Sequence, residues 1–186
     1  GIVQGVGLTV PLTDEGRRQA QNLATFLSTE KPDKIFASSA LRATETAKPL
    51  RVIYPSVPYF ELSDLNERSK GEGEGLTQEE FSRRYPETIE AWSRGEDVRP
   101  LGGENFSDVA GRVMPVIENH VSEPKEQTLL YIIHGNVTRA ILGKILGIPF
   151  ANCHLITQDY CAINLVEYDL LSKKWKVLFV NRVPNL

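Results

Sequence analysis

The sequence is poor in cysteine and methionine and has no long hydrophobic run. Its 186 residues include one methionine and two cysteines, Cys153 and Cys161. Two cysteines at these positions provide neither a disulfide framework nor the ligand spacing of a zinc site, and they fit a reducing compartment such as the cytoplasm. No apolar stretch approaches the length that crosses a bilayer, so the sequence predicts no membrane contact.

An excess of positive charge is absent as well. Lysine and arginine number 21 against 24 acidic residues, which gives a net charge of −3 and a pI near 5.7. This balance provides no general attraction to nucleic acid, so any site for an anion must be built locally. The length predicts one domain, residues 1–186, with its own core. Association into a homodimer stays open.

Hydrophobic periodicity predicts strands that alternate with helices. Buried strands are expected at KIFAS, VPYFELSDL and LLYIIH, and helices are expected after each of the first and third. We expect the helix that follows KIFAS to stop near Pro49, because proline disrupts a helix interior. Two further strands, YCAINLVEYD and KWKVLFVN, end the chain. The pattern predicts an α/β fold, a three-layer α/β/α sandwich around a mostly parallel sheet.

Four sites in the sequence stand at predicted strand ends or in the loops that follow them. They are Gln4 with Gly5, Arg42 in SSALRATETA, Glu67 in LNERSKGEGEG, and His134 in IIHGNVTRA. Each has an ordinary structural explanation when taken alone, such as a hydrogen-bonded buried histidine or a solvated arginine. The carboxyl edge of a parallel sheet is, however, where α/β proteins bind anionic ligands, often at a helix N-terminus.

Taken in order, these motifs resemble the histidine phosphatase superfamily, also called the phosphoglycerate mutase-like family. QG-x5-PLT-x2-G-x2-QA runs from Gln4 to Ala20, LNER-x2-G-x2-EG contains Glu67, and HG-x3-RA contains His134. SSALRATETA and GGEN approximate two more of the family's motifs. The resemblance covers nearly the whole chain and implies the phosphoglycerate mutase-like fold.

The resemblance also implies a chemistry and a role for each residue. In this family a histidine attacks the phosphoryl group of a monoester, and water then hydrolyses the phosphohistidine. Arg42 would hold the phosphoryl oxygens, His134 would donate a hydrogen bond to them, and Glu67 would act as general acid and then as base. Further residues would line the site, namely Gln4, Gly5, Gly135 and Asn136. No metal and no cofactor are implied, and the partner would be a small phosphorylated metabolite.

The family's nucleophile belongs to an Arg-His-Gly motif at the end of a first strand, upstream of the Gln-Gly loop. GIVQGVGLTV, the start of this sequence, has the features of a loop that follows such a strand rather than of a signal peptide. None of His120, His134 and His154 takes the nucleophile's place by resemblance. We therefore expect a sheet without its first strand and a nucleophile that lies upstream of residue 1.

Three functions remain open. The first is a metal-independent phosphomonoesterase of the phosphatase branch, and the second is a phosphoglycerate mutase, which LNER and HGN also suit. The third is a catalytically inactive phosphate-binding or protein-interaction module, a pseudophosphatase. Other marked residues are interpreted mainly as structural or solvated. The tryptophans are interpreted as packing residues, and a solvated face is expected for Glu72, Glu74, Glu79 and Glu80. A second group could reach another anionic group of a substrate, although solvated surface is the favoured interpretation; it consists of Arg68, Arg83 and Arg84.

Overall fold

The computed structural model describes residues 2–6 and 9–184; the remaining five, which include both ends of the predicted domain, lie outside that description. The helices and strands, in chain order, are α1 (Asp14–Phe26), β1 (Lys34–Ser38), α2 (Leu41–Ile53), β2 (Tyr59–Leu62), α3 (Gln78–Arg84), α4 (Pro86–Ser93), α5 (Phe106–Val121), β3 (Leu129–Ile132), α6 (Gly135–Leu146), β4 (Ile163–Asp169) and β5 (Lys174–Arg182). Short 3-10 turns occur at Leu27–Thr29, Ser63–Leu65, Gly71–Gly73 and Phe150–Leu155.

Helix ends coincide with capping residues in the sequence. Thr13 caps α1 by accepting a hydrogen bond from the backbone N–H of Gly16, and Thr77 with Glu80 forms a capping box at α3. Asn105 forms a capping box in the same way at α5. The last residue of the GGEN motif is therefore the N-cap of this helix. Gly147 ends α6 with φ of 68°, a left-handed conformation that glycine adopts at little cost.

The second helix does not stop at Pro49. It continues to Ile53, so the predicted end was wrong by about one turn. Proline removes one backbone hydrogen bond from a helix. Leu50, which follows it, is fully buried between the helix and the sheet, and this packing favours continuation of the helix.

A parallel sheet with the order β2-β1-β3 forms the centre of the fold. Side chains of β1 alternate between its faces: Ile35 and Ala37 pack with α1 and α2, whereas Phe36 packs with α5 and α6. Helices therefore cover both faces. The prediction of an α/β fold with a parallel sheet is confirmed.

The last two strands form an antiparallel hairpin that is separate from the parallel sheet. Among the described residues, no strand pairs with the second edge of β3. That edge and β4 both line a cleft of about 2030 Å³, which also reaches Leu23 of α1 and Leu142 of α6. The candidate residues lie along this cleft.

Candidate active site

Three parallel strands deliver the candidate side chains to one edge of the sheet. Arg42 stands in the first turn of α2, just after β1, and His134 is the N-cap residue of α6, just after β3. Glu67 follows β2 after a single 3-10 turn. Since the strands are parallel, their carboxyl ends meet at the same edge, as the sequence motifs suggested.

The structure brings all of the sequence-predicted site residues together. The cleft is lined by Gln4, Arg42, Glu67, His134 and Gly135. The backbone oxygen of Gly5 accepts a hydrogen bond of 3.1 Å from Arg42 Nη2. The amide nitrogen of Asn136 lies 3.4 Å from Glu67 Oε2. Residues that are far apart in sequence therefore line this cleft or contact a residue that lines it.

The guanidinium of Arg42 is held on one side and unpaired on the other. Nη2 donates to Gly5, whereas Nη1 is buried and has no hydrogen-bond partner among the described residues. Burial lowers the pKa of Arg42, and Glu67 and Glu74 oppose that shift. An arginine stays charged even so, because its pKa lies far above neutrality. A buried charged donor without a partner is costly, and an anion in the cleft would satisfy it.

His134 is buried and bonded to Ser38. The Ser38 hydroxyl lies 2.7 Å from His134 Nε2 and also contacts the side-chain oxygen of Asn66. Burial lowers the pKa of His134 to about 3, and the charges of Arg42 and Arg112 act in the same direction. The ring is thus neutral near pH 7 and has a single N–H. Because the one hydroxyl proton of Ser38 is donated to Asn66, that N–H is on Nε2 and donates to Ser38, which leaves Nδ1 as an acceptor.

Glu67 is arranged to hold a proton more readily than an exposed glutamate. Burial raises its pKa, while the backbone N–H of Arg68 and the charge of Arg42 partly oppose the rise. One carboxylate oxygen accepts the Arg68 N–H at 2.8 Å, and the other lies toward Asn136. A carboxyl group with a raised pKa beside a buried arginine can donate a proton to a leaving oxygen.

Arg112, which the motifs did not single out, holds the Glu67 loop in place. Its Nη1 donates to the backbone oxygen of Asp64, and its Nη2 donates to those of Asn66 and Glu67. The same guanidinium forms a bidentate salt bridge with Glu104: Nε donates to Oε1 at 2.7 Å and Nη2 donates to Oε2 at 2.9 Å. Glu104 is the glutamate of the GGEN motif. This motif therefore helps to hold the loop that carries Glu67.

Two of the glutamates interpreted as solvated have structural roles instead. The carboxylate of Glu74 accepts hydrogen bonds from the N–H groups of Val6 and Lys70, and it ties the Gln4–Val6 loop to the loop after Glu67. A Cβ on Gly5 would stand 1.9 Å from Glu74 Oε1, which explains why this position has no side chain. Glu80 completes the capping box of α3.

Arg68 is the clearest departure from the sequence interpretation, because it is not a surface residue. Its side chain is 4% exposed and lies between the rings of Trp92 and Phe106, 5.2 and 4.6 Å from their centroids. Trp92 packs, as predicted, but its ring also faces two cations, since Lys70 Nζ lies 4.9 Å from its centroid. These residues line a second cavity of about 240 Å³, which Asn136 also borders.

Metal-ligating side chains do not cluster in the described part of the chain. No group of three or more His, Cys, Asp or Glu side chains there is arranged to hold a metal ion. The same residues contain no helix that is both long and apolar enough to cross a membrane.

The profile of a known family matches the chain from residue 1 to residue 182. It describes the histidine phosphatase superfamily, branch 1. The chain belongs to the histidine phosphatase superfamily. The resemblance inferred from the motifs around Arg42, Glu67 and His134 is thereby confirmed.

Relatives within the superfamily include both mutases and phosphatases. The chain is 32% identical to 2,3-bisphosphoglycerate-dependent phosphoglycerate mutase 2 of Gloeobacter violaceus, over 82% of this chain and 72% of that protein. It is 31% identical to the metal-independent phosphoserine phosphatase of Arabidopsis thaliana, over 86% of this chain and 72% of that protein. A mycobacterial glucosyl-3-phosphoglycerate phosphatase, solved with VO3, aligns with a TM-score of 0.86 and 26% identity over 97% of this chain and 90% of its own.

Proposed function

We propose that this protein is a metal-independent phosphomonoester hydrolase that acts on a small phosphorylated metabolite through a phosphohistidine intermediate. The observation that carries the proposal concerns Arg42, which lines the same pocket as His134 and Glu67: its Nη1 is buried and has no hydrogen-bond partner in the described part of the chain. Phosphoryl transfer is catalysed mainly by positioning and by donors that stabilise charge on the equatorial oxygens. Arg42 supplies such donors, and Glu67 supplies a proton. A bound phosphate would favour the second ring proton, on Nδ1, that His134 needs in order to donate to it.

The nucleophilic histidine, in this proposal, is carried by a strand that precedes residue 1 and occupies the cleft between β3 and β4. Within residues 2–6 and 9–184, no strand pairs with the second edge of β3, so this edge offers backbone donors and acceptors to such a strand. Buried backbone groups are normally paired. The cleft measures about 2030 Å³. Sites for small ligands alone usually measure about 300–1,000 Å³, so the cleft has room for a strand as well as a substrate.

The reaction then proceeds in two balanced steps. The lone pair of the nucleophilic imidazole attacks phosphorus, the ester P–O bond breaks, and the departing oxygen takes the Glu67 proton. Water next attacks the phosphohistidine, Glu67 takes a proton from that water, and the N–P bond breaks to release inorganic phosphate. Arg42 and His134 hold the equatorial oxygens in both steps.

Rapid acid or alkaline quenching of the full-length protein with a labelled aryl phosphate tests this function. We expect turnover in excess chelator and a phosphoenzyme that survives alkali but not acid, as a phosphoramidate does. Arg42→Met should lower both. Loss of turnover on chelation, restored by one divalent ion, would contradict the proposal. Absence of turnover and phosphoenzyme together with phosphate binding would instead favour the pseudophosphatase.

A phosphoglycerate mutase is the second candidate, because a mutase is among the relatives. Only 67 positions separate Glu67 from His134, and the Glu67 loop continues as SKGEGEG instead of the Tyr-Gly pattern typical of mutases. We therefore favour transfer to water. Product analysis with 3-phosphoglycerate decides between the two, since a hydrolase releases phosphate and a mutase returns 2-phosphoglycerate.

A further inference from the structure

We propose that Asn66 is a positioning residue that keeps His134 as a proton acceptor, so that one proton accompanies every phosphoryl group bound beside the His134 ring. This inference rests on the proposed function, because that function places a phosphoryl oxygen against the ring. Asn66 does not contact the phosphoryl group in this proposal. It acts through the hydroxyl of Ser38, which stands between its side-chain oxygen and the ring.

The first support is that all three hydrogen-bonding positions of the Ser38 hydroxyl are in use. Its oxygen accepts the backbone N–H of Ala40 at 3.2 Å, and its proton is donated to Asn66 Oδ1 at 2.7 Å. A hydroxyl has one proton and two lone pairs, so only a lone pair remains for His134 Nε2, which is also 2.7 Å away. The neutral ring therefore carries its proton on Nε2.

Asn66 is anchored as an acceptor from several sides. Its Oδ1 also accepts the hydroxyl of Ser39, at 2.9 Å. The backbone N–H of Asn66 donates to the oxygen of Ser63 at 2.9 Å, and its backbone oxygen accepts Arg112 Nη2 at 2.8 Å. Because these contacts hold the residue against the end of β1, the amide oxygen stays directed at Ser38.

The second ring nitrogen of His134, Nδ1, is left without a proton. No hydrogen bond engages it within the described residues, and the ring lines the cleft together with Arg42 and with Glu67 of the loop after β2. Burial lowers the pKa of the ring to about 3, and the charges of Arg42, from α2, and Arg112, from α5, add to this shift. Because the ring titrates far below neutrality, Nδ1 stays unprotonated near pH 7 until an anion binds.

A phosphoryl oxygen and an unprotonated ring nitrogen need one proton between them. Both atoms present lone pairs, so their contact is repulsive until a proton makes one of them a donor. The proton comes from solvent onto Nδ1, whose pKa the bound anion raises, or it arrives on a phosphate monoanion. Binding of a dianion should therefore weaken by about tenfold for each rise of one pH unit, since one proton is taken up with it. If Ser38 instead donated to Nε2, the neutral ring would offer Nδ1–H and need no further proton.

Heteronuclear NMR of nitrogen-labelled histidines in the full-length protein, without ligand, tests the role of Asn66. We expect His134, whose signals are identified by their loss in His134→Gln, to carry its proton on Nε2. Asn66→Leu should shift the ring toward the Nδ1–H form, because the Ser38 proton then becomes available to Nε2. Ser39→Ala removes the other hydroxyl from the same Asn66 oxygen and is the matched control, which should keep the Nε2–H form. An Nδ1–H ring in the unmodified protein, or a ring that Asn66→Leu leaves unchanged, would overturn the inference.

Addition of inorganic phosphate tests the coupled proton. The Nδ1 signal of His134 should move toward that of a protonated nitrogen as phosphate binds near pH 7. Inhibition of aryl phosphate hydrolysis by sulfate, a dianion near neutrality, should weaken by about tenfold per pH unit in the unmodified protein and much less in Asn66→Leu. Both proteins retain Glu67, so its titration does not cause the difference.

An unmoved Nδ1 signal with phosphate bound, or equal pH slopes in the two proteins, would overturn the coupling. If phosphate does not bind at all, the proposed function fails separately. The spectra without ligand then still decide whether Asn66 sets the protonated nitrogen of His134.

Discussion

Replacing Arg112 by methionine should destabilise the protein and misplace Glu67. The side chains of Arg112 and Glu104 are 24% and 23% exposed, so their pair is mostly removed from water. Breaking a fully buried pair costs about 3–5 kcal/mol and an exposed pair less than about 1 kcal/mol. Because Arg112 also donates hydrogen bonds to backbone oxygens of the Glu67 loop, we expect the free energy of unfolding to fall by about 2–4 kcal/mol.

Urea unfolding and kinetics on one alkyl phosphate measure this effect. A loss near 3 kcal/mol corresponds to a fall in Tm of roughly 6–12 °C for a chain of this size. We also expect kcat to fall in the folded fraction, because Glu67 loses its support. Arg18→Met, which removes an exposed pair with Glu15 on α1, is the control and should change neither quantity. A change in Arg112→Met as small as that of the control would refute the reasoning.

The Arg112 effect should also depend on pH. Burial raises the pKa of Glu104, but the pair with Arg112 and the N–H of Ser69 overcome this and hold it below the ordinary 4.5. The pair therefore stabilises the fold above pH 4.5 and loses this effect as the pH falls further and Glu104 takes up a proton. The difference in stability between the unmodified protein and Arg112→Met should narrow below pH 4.5.

Two further substitutions test the proposed roles of the site residues. Glu67→Gln should lower kcat on an alkyl phosphate by about 10²-fold or more and on an activated aryl phosphate much less, since only the alkoxide needs a proton. In the unmodified protein, activity on the alkyl phosphate should fall as the pH rises through the raised pKa of Glu67. This pH dependence should disappear in Glu67→Gln. Equal losses on both substrates would give Glu67 another role. Ser38→Ala should reduce kcat about tenfold and stability by about 1–3 kcal/mol, because it leaves the buried His134 Nε2 without its partner. Unchanged kinetics would mean that Ser38 does not select the His134 tautomer.

The positions of the candidate side chains could be predicted because they depend on local order along the chain. Arg42 and His134 each follow a strand whose pattern is visible in the sequence, and Glu67 follows another. Parallel pairing then brings the three strand ends together. The motifs that contain these residues can be recognised in the sequence without any knowledge of how the chain packs.

The burial of Arg68 could not be predicted, because it depends on contacts with residues distant in sequence. Its neighbours in LNERSKGEGEG are polar, which is typical of a surface loop. Trp92 of α4 and Phe106 of α5 enclose the guanidinium from other parts of the chain. The continuation of α2 past Pro49 has a similar cause, since the burial of Leu50 is a tertiary effect. In both cases packing outweighed the local preference.

A crystal structure of the full-length protein with vanadate tests the central proposal most directly. We expect vanadium bonded to the imidazole of a histidine on a strand between β3 and β4, with Arg42 Nη1 and His134 on the equatorial oxygens. Glu67 should lie within hydrogen-bond reach of the apical oxygen, about 2.6–3.2 Å. Vanadate bound away from Arg42 and His134, or a cleft that no strand occupies, would contradict the proposed mechanism.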